Sequence, residues 1–162
     1  MRILGLDPGS RITGVGIIDG EKLIEARQLN LGGGEMPERL AAIFTGVAGV
    51  IAEFRPEVVA IETVFMNRNP QAAIKLGQAR GAAICAAVNA GLVVHEYAPR
   101  LIKQAVVGRG GADKQQVQHM VRVLLKSSEN FGADAADALA VALCHLHSAR
   151  TARRLPQGVV LR

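Results

Sequence analysis

The chain has 162 residues, 49% hydrophobic and 20% charged, and Lys plus Arg outnumber Asp plus Glu by 19 to 14 for a net charge of +5. That length supports one domain with its own core, and that balance excludes a disordered chain. Apolar runs too short for a bilayer and the lack of a secretory leader pattern exclude a membrane protein and lead us to expect a cytoplasmic one, while the basic excess suits a polyanionic partner.

Arg2 to Leu6 is an apolar run of strand length closed by Asp7; Pro8-Gly9-Ser10 is turn chemistry, and Ile12 to Ile18 is a second strand-like run. Gly9, Gly14 and Gly16 leave little bulk near Asp7, so another molecule's backbone could come close. Asp19-Gly20 is a hairpin signal. Beyond it, Lys22 to Leu31 reads as a third strand with Ala26, Gln28 and Asn30 on one face and Arg27, Leu29 and Leu31 on the other.

Three glycines then break the meander, and Glu38 to Phe54 carries Leu40, Ile43, Val47, Val50 and Ile51 at helical spacing. Val58 to Ile61 is a β-branched run of the kind buried on both faces, and it ends in Glu62. Thr63 to Asn69 reads as a loop carrying Phe65, Met66 and Arg68. Pro70 opens a helix to about Ala90 with Gly91 as its stop, rich in small residues that permit close approach of either the sheet or a second subunit.

Leu92 to Tyr97 is the fifth strand, Pro99 to Val107 a short helix, and Gly108 to Gly111 a basic loop. Asp113 with Gln116 forms a capping box for a helix whose Val117, Met120, Val121, Leu124 and Leu125 make an apolar stripe. A last helix runs from Asp134 to about Ser148. Residues 149–162 carry four arginines and no acid and read as a basic, at least partly disordered tail on a single domain of residues 1–148. Cys85 and Cys144 read as buried free thiols.

Glu62 repeats the pattern of Asp7, a carboxylate directly after an apolar strand. Asp134 and Asp137, three apart, share one face of the first turn of a nearly all-apolar helix, and acids entering a buried helix need partners. Singly, each has a structural explanation: Asp134 an N-cap, Asp137 a solvated first-turn acid. As a set, four carboxylates without a His or Cys cluster suit magnesium, or manganese in its place, and two such ions could clamp the attacking and leaving oxygens of a phosphodiester.

The blocks Leu6-Asp-Pro-Gly-Ser-Arg, Ala60-Ile-Glu-Thr-Val-Phe-Met, Lys75-Leu-Gly-Gln-Ala-Arg-Gly, Lys114-x-x-Val-Gln-His-Met-Val and Ala133-Asp-Ala-Ala-Asp-Ala-Leu-Ala resemble, in order and spacing, the RuvC family of Holliday-junction resolvases over residues 1 to 148. The resemblance implies an RNase H-like α/β fold, a five-stranded mixed sheet flanked by helices, and a homodimer. It also implies magnesium-dependent hydrolysis of two symmetric phosphodiesters in a four-way DNA junction, leaving 5′-phosphate and 3′-hydroxyl ends, in recombination and repair alongside the RuvA and RuvB branch-migration proteins. Its ligand set falls on Asp7, Glu62, Asp134 and Asp137, and its active-site lysines on Lys103 and Lys114, which alone would read as solvated charges. It gives Phe65 a stacking role at the junction centre, where the residue pattern alone says core. Arg68, Lys75, Arg80 and Arg109 are candidate phosphate contacts; the histidines read as structural or exposed.

Three rivals stay open. A kinase-type phosphate loop could present Asp7-Pro-Gly-Ser and Gly14, although the chain is short for that fold; an RNase H-like RNA-processing nuclease would share the acids; and a junction-binding protein need not cut.

Overall fold

The computed structural model describes residues 1–64 and 69–154. β1 (Arg2–Asp7), β2 (Ile12–Asp19) and β3 (Lys22–Asn30) form the expected antiparallel meander. α1 (Met36–Phe54) leads to β4 (Val58–Glu62), and α2 (Pro70–Asn89) to β5 (Val94–Tyr97); α3 (Pro99–Val107), α4 (Lys114–Leu124) and α5 (Ala133–Arg154) follow. The sheet order is β3-β2-β1-β4-β5, with β4 parallel to β1 and β5 parallel to β4. α1 carries the chain from the meander to β4, beside β1, and α2 makes the crossover from β4 to β5.

Strand periodicity splits the core in two. Leu4, Leu6, Val15, Ile17, Val59 and Ile61 face α1 and α2, where Ile43, Val47, Ala79 and Ala83 complete one apolar cluster. Ile3, Ile18, Val58 and Ala60 face the other way, against α3, α4 and α5.

On that second face the register lines residues up in rows across the strands. Ile18, Ile3 and Val58 form a bulky row. Ala26, Gly16, Gly5, Ala60 and His95 form the next, and it is small where α5 crosses. A Cβ on Gly16 would stand 2.6 Å from the Leu139 nitrogen and one on Gly5 3.0 Å from the Ala138 carbonyl carbon, so here the helix backbone lies directly on the strands. The third row reads Gln28, Gly14, Asp7, then Glu62 one step beyond the Leu6–Ile61 pair, then Tyr97. α5 approaches this polar row with its N-terminal turn.

Several boundaries differ from the sequence reading. α5 continues six residues past Ser148 to Arg154, so the expected domain end at 148 falls inside a helix. Arg150, in this extension, ion-pairs with Glu21 at the β2–β3 turn, and basic side chains suit a helix C-terminus; the rest of the expected tail, 155–162, lies outside the described residues. Cys144 is buried as expected, but Cys85 is exposed, because α2 turns only its Ala79, Ala83, Ala86 and Ala87 face inward; both thiols are free. Asp113 and Gln116 form the expected reciprocal cap. Among the described residues no helix is long and apolar enough to cross a membrane.

Candidate active site

Period-two alternation places Asp7 and Glu62 on the α5 face of adjacent parallel strands, at their C-terminal ends. Asp134, in the first turn of α5, and Asp137, three residues further along the same face, meet them from above. Asp7 is half-buried, and its pKa is pushed up to about 7, first by desolvation and then by the negative charges of Asp137, Glu62 and Asp134, with Lys114 opposing. Burial and the Asp137 charge also raise Glu62, against the pull of Lys103 and Lys114. The acids expected to act together therefore do share one electrostatic site.

Two of them are held by protein groups. The Lys114 ammonium, on the first turn of α4, sits 2.7 Å from Asp137 Oδ2, and this bond holds its pKa above the usual lysine value. Gln28 Nε2, on β3, donates to Asp134 Oδ2 at 2.7 Å. Gln28 is absent from the sequence-level site. Among the described residues no three His, Cys, Asp or Glu side chains stand close enough together to grip one ion. The donor set still fits a hard cation: every ligand is a carboxylate oxygen, and Asp7 carries a charge that burial and three acidic neighbours make costly.

Lys103 and Lys114 both line a cleft of about 200 Å³ with Glu62 and Asp137. A wider, open cleft of about 610 Å³ begins at Asp7, Pro8 and Glu62 and runs between Thr63, Leu76 and Pro99. Lys75 and Arg109 are exposed, free to meet phosphate. Arg80, the other candidate on α2, is engaged within the protein. Its guanidinium is turned into the protein, with Nε donating to the Glu62 carbonyl at 2.9 Å and Nη2 paired with Glu96, so it ties α2 to the ends of β4 and β5. Phe65 and Arg68 lie outside the described residues.

Behind the acids, Tyr97 and His145 lock β5 to α5 through a 2.7 Å hydrogen bond between the Tyr97 hydroxyl and His145 Nδ1. Burial, and then His95 with its ring centroid 4.5 Å away, depress the His145 pKa to about 4, so the ring is neutral. His147 bonds the Ala105 carbonyl at 3.0 Å and anchors α3 in the same way. These are the structural histidines of the sequence reading.

A mixed five-stranded sheet whose central strand ends carry acids beneath the start of an overlying helix defines an RNase H-like α/β protein with a carboxylate cluster at its strand ends. The family model described as crossover junction endodeoxyribonuclease RuvC matches residues 3–145. The crossover junction endodeoxyribonuclease RuvC of Marinobacter nauticus is 57% identical over 157 residues, covering 94% of this chain and 90% of the relative. That of Methylococcus capsulatus is 53% identical over 161 residues and covers 98% of both. The structure of Thermus thermophilus RuvC in complex with Holliday junction substrate is 37% identical, with a TM-score of 0.86 over 94% of this chain and 96% of that one. The chain belongs to the RuvC family of crossover junction endodeoxyribonucleases.

Proposed function

We propose that this protein resolves four-way DNA junctions by paired, symmetric hydrolysis of two phosphodiesters, giving 5′-phosphate and 3′-hydroxyl ends. The observation that carries the reading is the meeting of Asp7 and Glu62, on adjacent strand ends, with Asp134 and Asp137 on the helix above them. Asp7, Glu62, Asp134 and Asp137 would hold magnesium, or manganese, as two ions per site. Bound there, the metal supplies an acidified water and neutralises charge on the phosphate.

The chain's own residues do the rest. Asp7 and Glu62 both line the open cleft, so the scissile phosphate enters from that side. Lys114 and Lys103 put positive charge beside Asp137 and Glu62, where a pentacoordinate phosphate gains negative charge. Lys75, Arg109 and Arg68 contact the DNA backbone without reading sequence, and Phe65 stacks on an unpaired base. Two cuts related by symmetry call for two active sites, hence a homodimer. The outward face of α2 suits it: Ile74 is 62% and Val88 59% exposed, and Gly77 and Gly81 between them have open space where a Cβ would be.

The purified protein with magnesium, given a labelled four-way junction, a linear duplex and an RNA hairpin, should cut only the junction, at two symmetric positions. Equal cutting of the hairpin would make it an RNA-processing nuclease, and binding without cutting a junction-binding protein. Sedimentation should show a dimer, and a further shift when RuvA and RuvB are loaded on the same junction; a monomer with and without DNA would remove the homodimer.

A further inference from the structure

We infer that Gln28 is a positioning residue for catalysis: it fixes the Asp134 carboxylate in the orientation that the metal site uses. The inference rests on the nuclease reading above and adds a residue to it from a strand that carries none of the acids.

Gln28 sits on β3, two strands away from Asp7, yet the register brings it into the same cross-strand row. Gln28 pairs with Gly14, Gly14 pairs with Asp7, and all three positions lie on the α5 face. Gly14 has no side chain, so nothing stands between Gln28 and the start of α5, and the amide reaches over it to Asp134 at 2.7 Å across 106 residues of sequence. Gly132 gives a second, independent observation. A Cβ there would lie 2.8 Å from Gln28 Nε2 and 3.1 Å from its amide carbon, so the residue two before Asp134 leaves room for this side chain.

The chemistry of the donor matters. Asp137 is held by Lys114, whose ammonium cancels the carboxylate charge until a cation competes for it. Gln28 is neutral. It restricts rotation of the Asp134 carboxylate through one hydrogen bond and leaves the full negative charge, and the second oxygen, for a cation. A neutral donor on a strand fixed in the sheet thus orients a ligand that sits on a frayable first helical turn, as second-shell donors commonly do for metal ligands.

The test uses Gln28→Met, which keeps length and unbranched shape but cannot donate, and Gln28→Asn, whose amide is one methylene too short. Both should melt within about 2 °C of wild type without metal and bind the junction in EDTA as wild type does. Both should lose about tenfold in kcat at unchanged KM, and both should need several-fold more manganese to reach the half-maximal rise in melting temperature without DNA. Wild-type kcat and an unshifted manganese midpoint would overturn the inference, as would a large fall in metal-free melting temperature, which would make Gln28 a fold residue. Failure of the wild-type protein to cut would instead reject the nuclease reading, and the manganese midpoints would still decide whether Gln28 orients Asp134.

Discussion

Asp7→Asn should abolish junction cleavage and, in the same protein, raise the melting temperature of the metal-free form at pH 8. The second half follows from the pKa of about 7, against an ordinary 3.8, that burial and then the charges of Asp137, Glu62 and Asp134 impose. Because the folded pKa is the higher one, the folded state keeps its proton between about pH 4 and 7 while the unfolded state releases it. Stability therefore falls as pH rises through that window. Below it both states are protonated and nothing is lost; above it the full penalty, of order a few kcal/mol, is present.

Asparagine keeps the shape of the protonated acid and never ionises, so the variant escapes the penalty and should melt roughly 5–10 °C higher at pH 8, by the size scaling of domains this long. At pH 4 the two proteins should melt nearly together. Magnesium should raise the melting temperature of the wild type and do much less for the variant, which lacks both a ligand and the strain that a cation relieves. Calorimetry at the two pH values, with and without magnesium, reads all of this. A variant that melts no higher than wild type at pH 8 would refute the electrostatic account even if cleavage were lost.

The acids were legible because each is marked locally. Asp7 and Glu62 close apolar strand runs, and Asp134 and Asp137 stand out at the start of an otherwise apolar helix; periodicity alone carries those signals. What joins them is register, which is not local. The faces of β3 were readable, with Ala26 and Gln28 together, but pairing Gln28 with Gly14 requires counting back from the Asp19-Gly20 turn through an irregularity between Ile17 and Ile18. That irregularity shifts the count by one, and a one-residue slip would have turned Gln28 to the opposite face.

Arg80 shows the same limit for charge. Its neighbours in sequence cannot reveal that the Glu62 backbone carbonyl and the Glu96 carboxylate, on two different strands, converge on its guanidinium. The end of the last helix was set too early for a related reason: composition alone stops it near Ser148, while the α5 backbone runs on to Arg154 and Arg150 pairs with Glu21 on the far β2–β3 turn. In each case the missing information is a contact between elements far apart in the chain.

Gly14→Ala should cost both stability and catalysis, out of proportion to one methyl group. A Cβ at Gly14 would overlap the Asp134 carbonyl oxygen and stand 2.5 Å from its carbonyl carbon and 3.2 Å from the Ala135 nitrogen. These are backbone atoms of a helix seated on the sheet, so no side chain can swing aside and the first turn of α5 must lift. Overpacking of this kind costs about 1–3 kcal/mol. The lift also carries Asp134 away from Gln28 and Asp7, and a displacement of about 1 Å in a reacting constellation is enough to cost roughly a hundredfold in rate. Gly49→Ala supplies the contrast. Gly49 lies inside α1 with nothing within 4 Å of a new Cβ, so alanine there should stabilise by up to about 1 kcal/mol through helix propensity and leave cleavage unchanged. Thermal melts and single-turnover cleavage of both variants separate backbone clearance from a general intolerance of added methyl groups. If Gly14→Ala cut at the wild-type rate, the seating of α5 on the glycines of β1 and β2 would not be what places Asp134 over the strand ends.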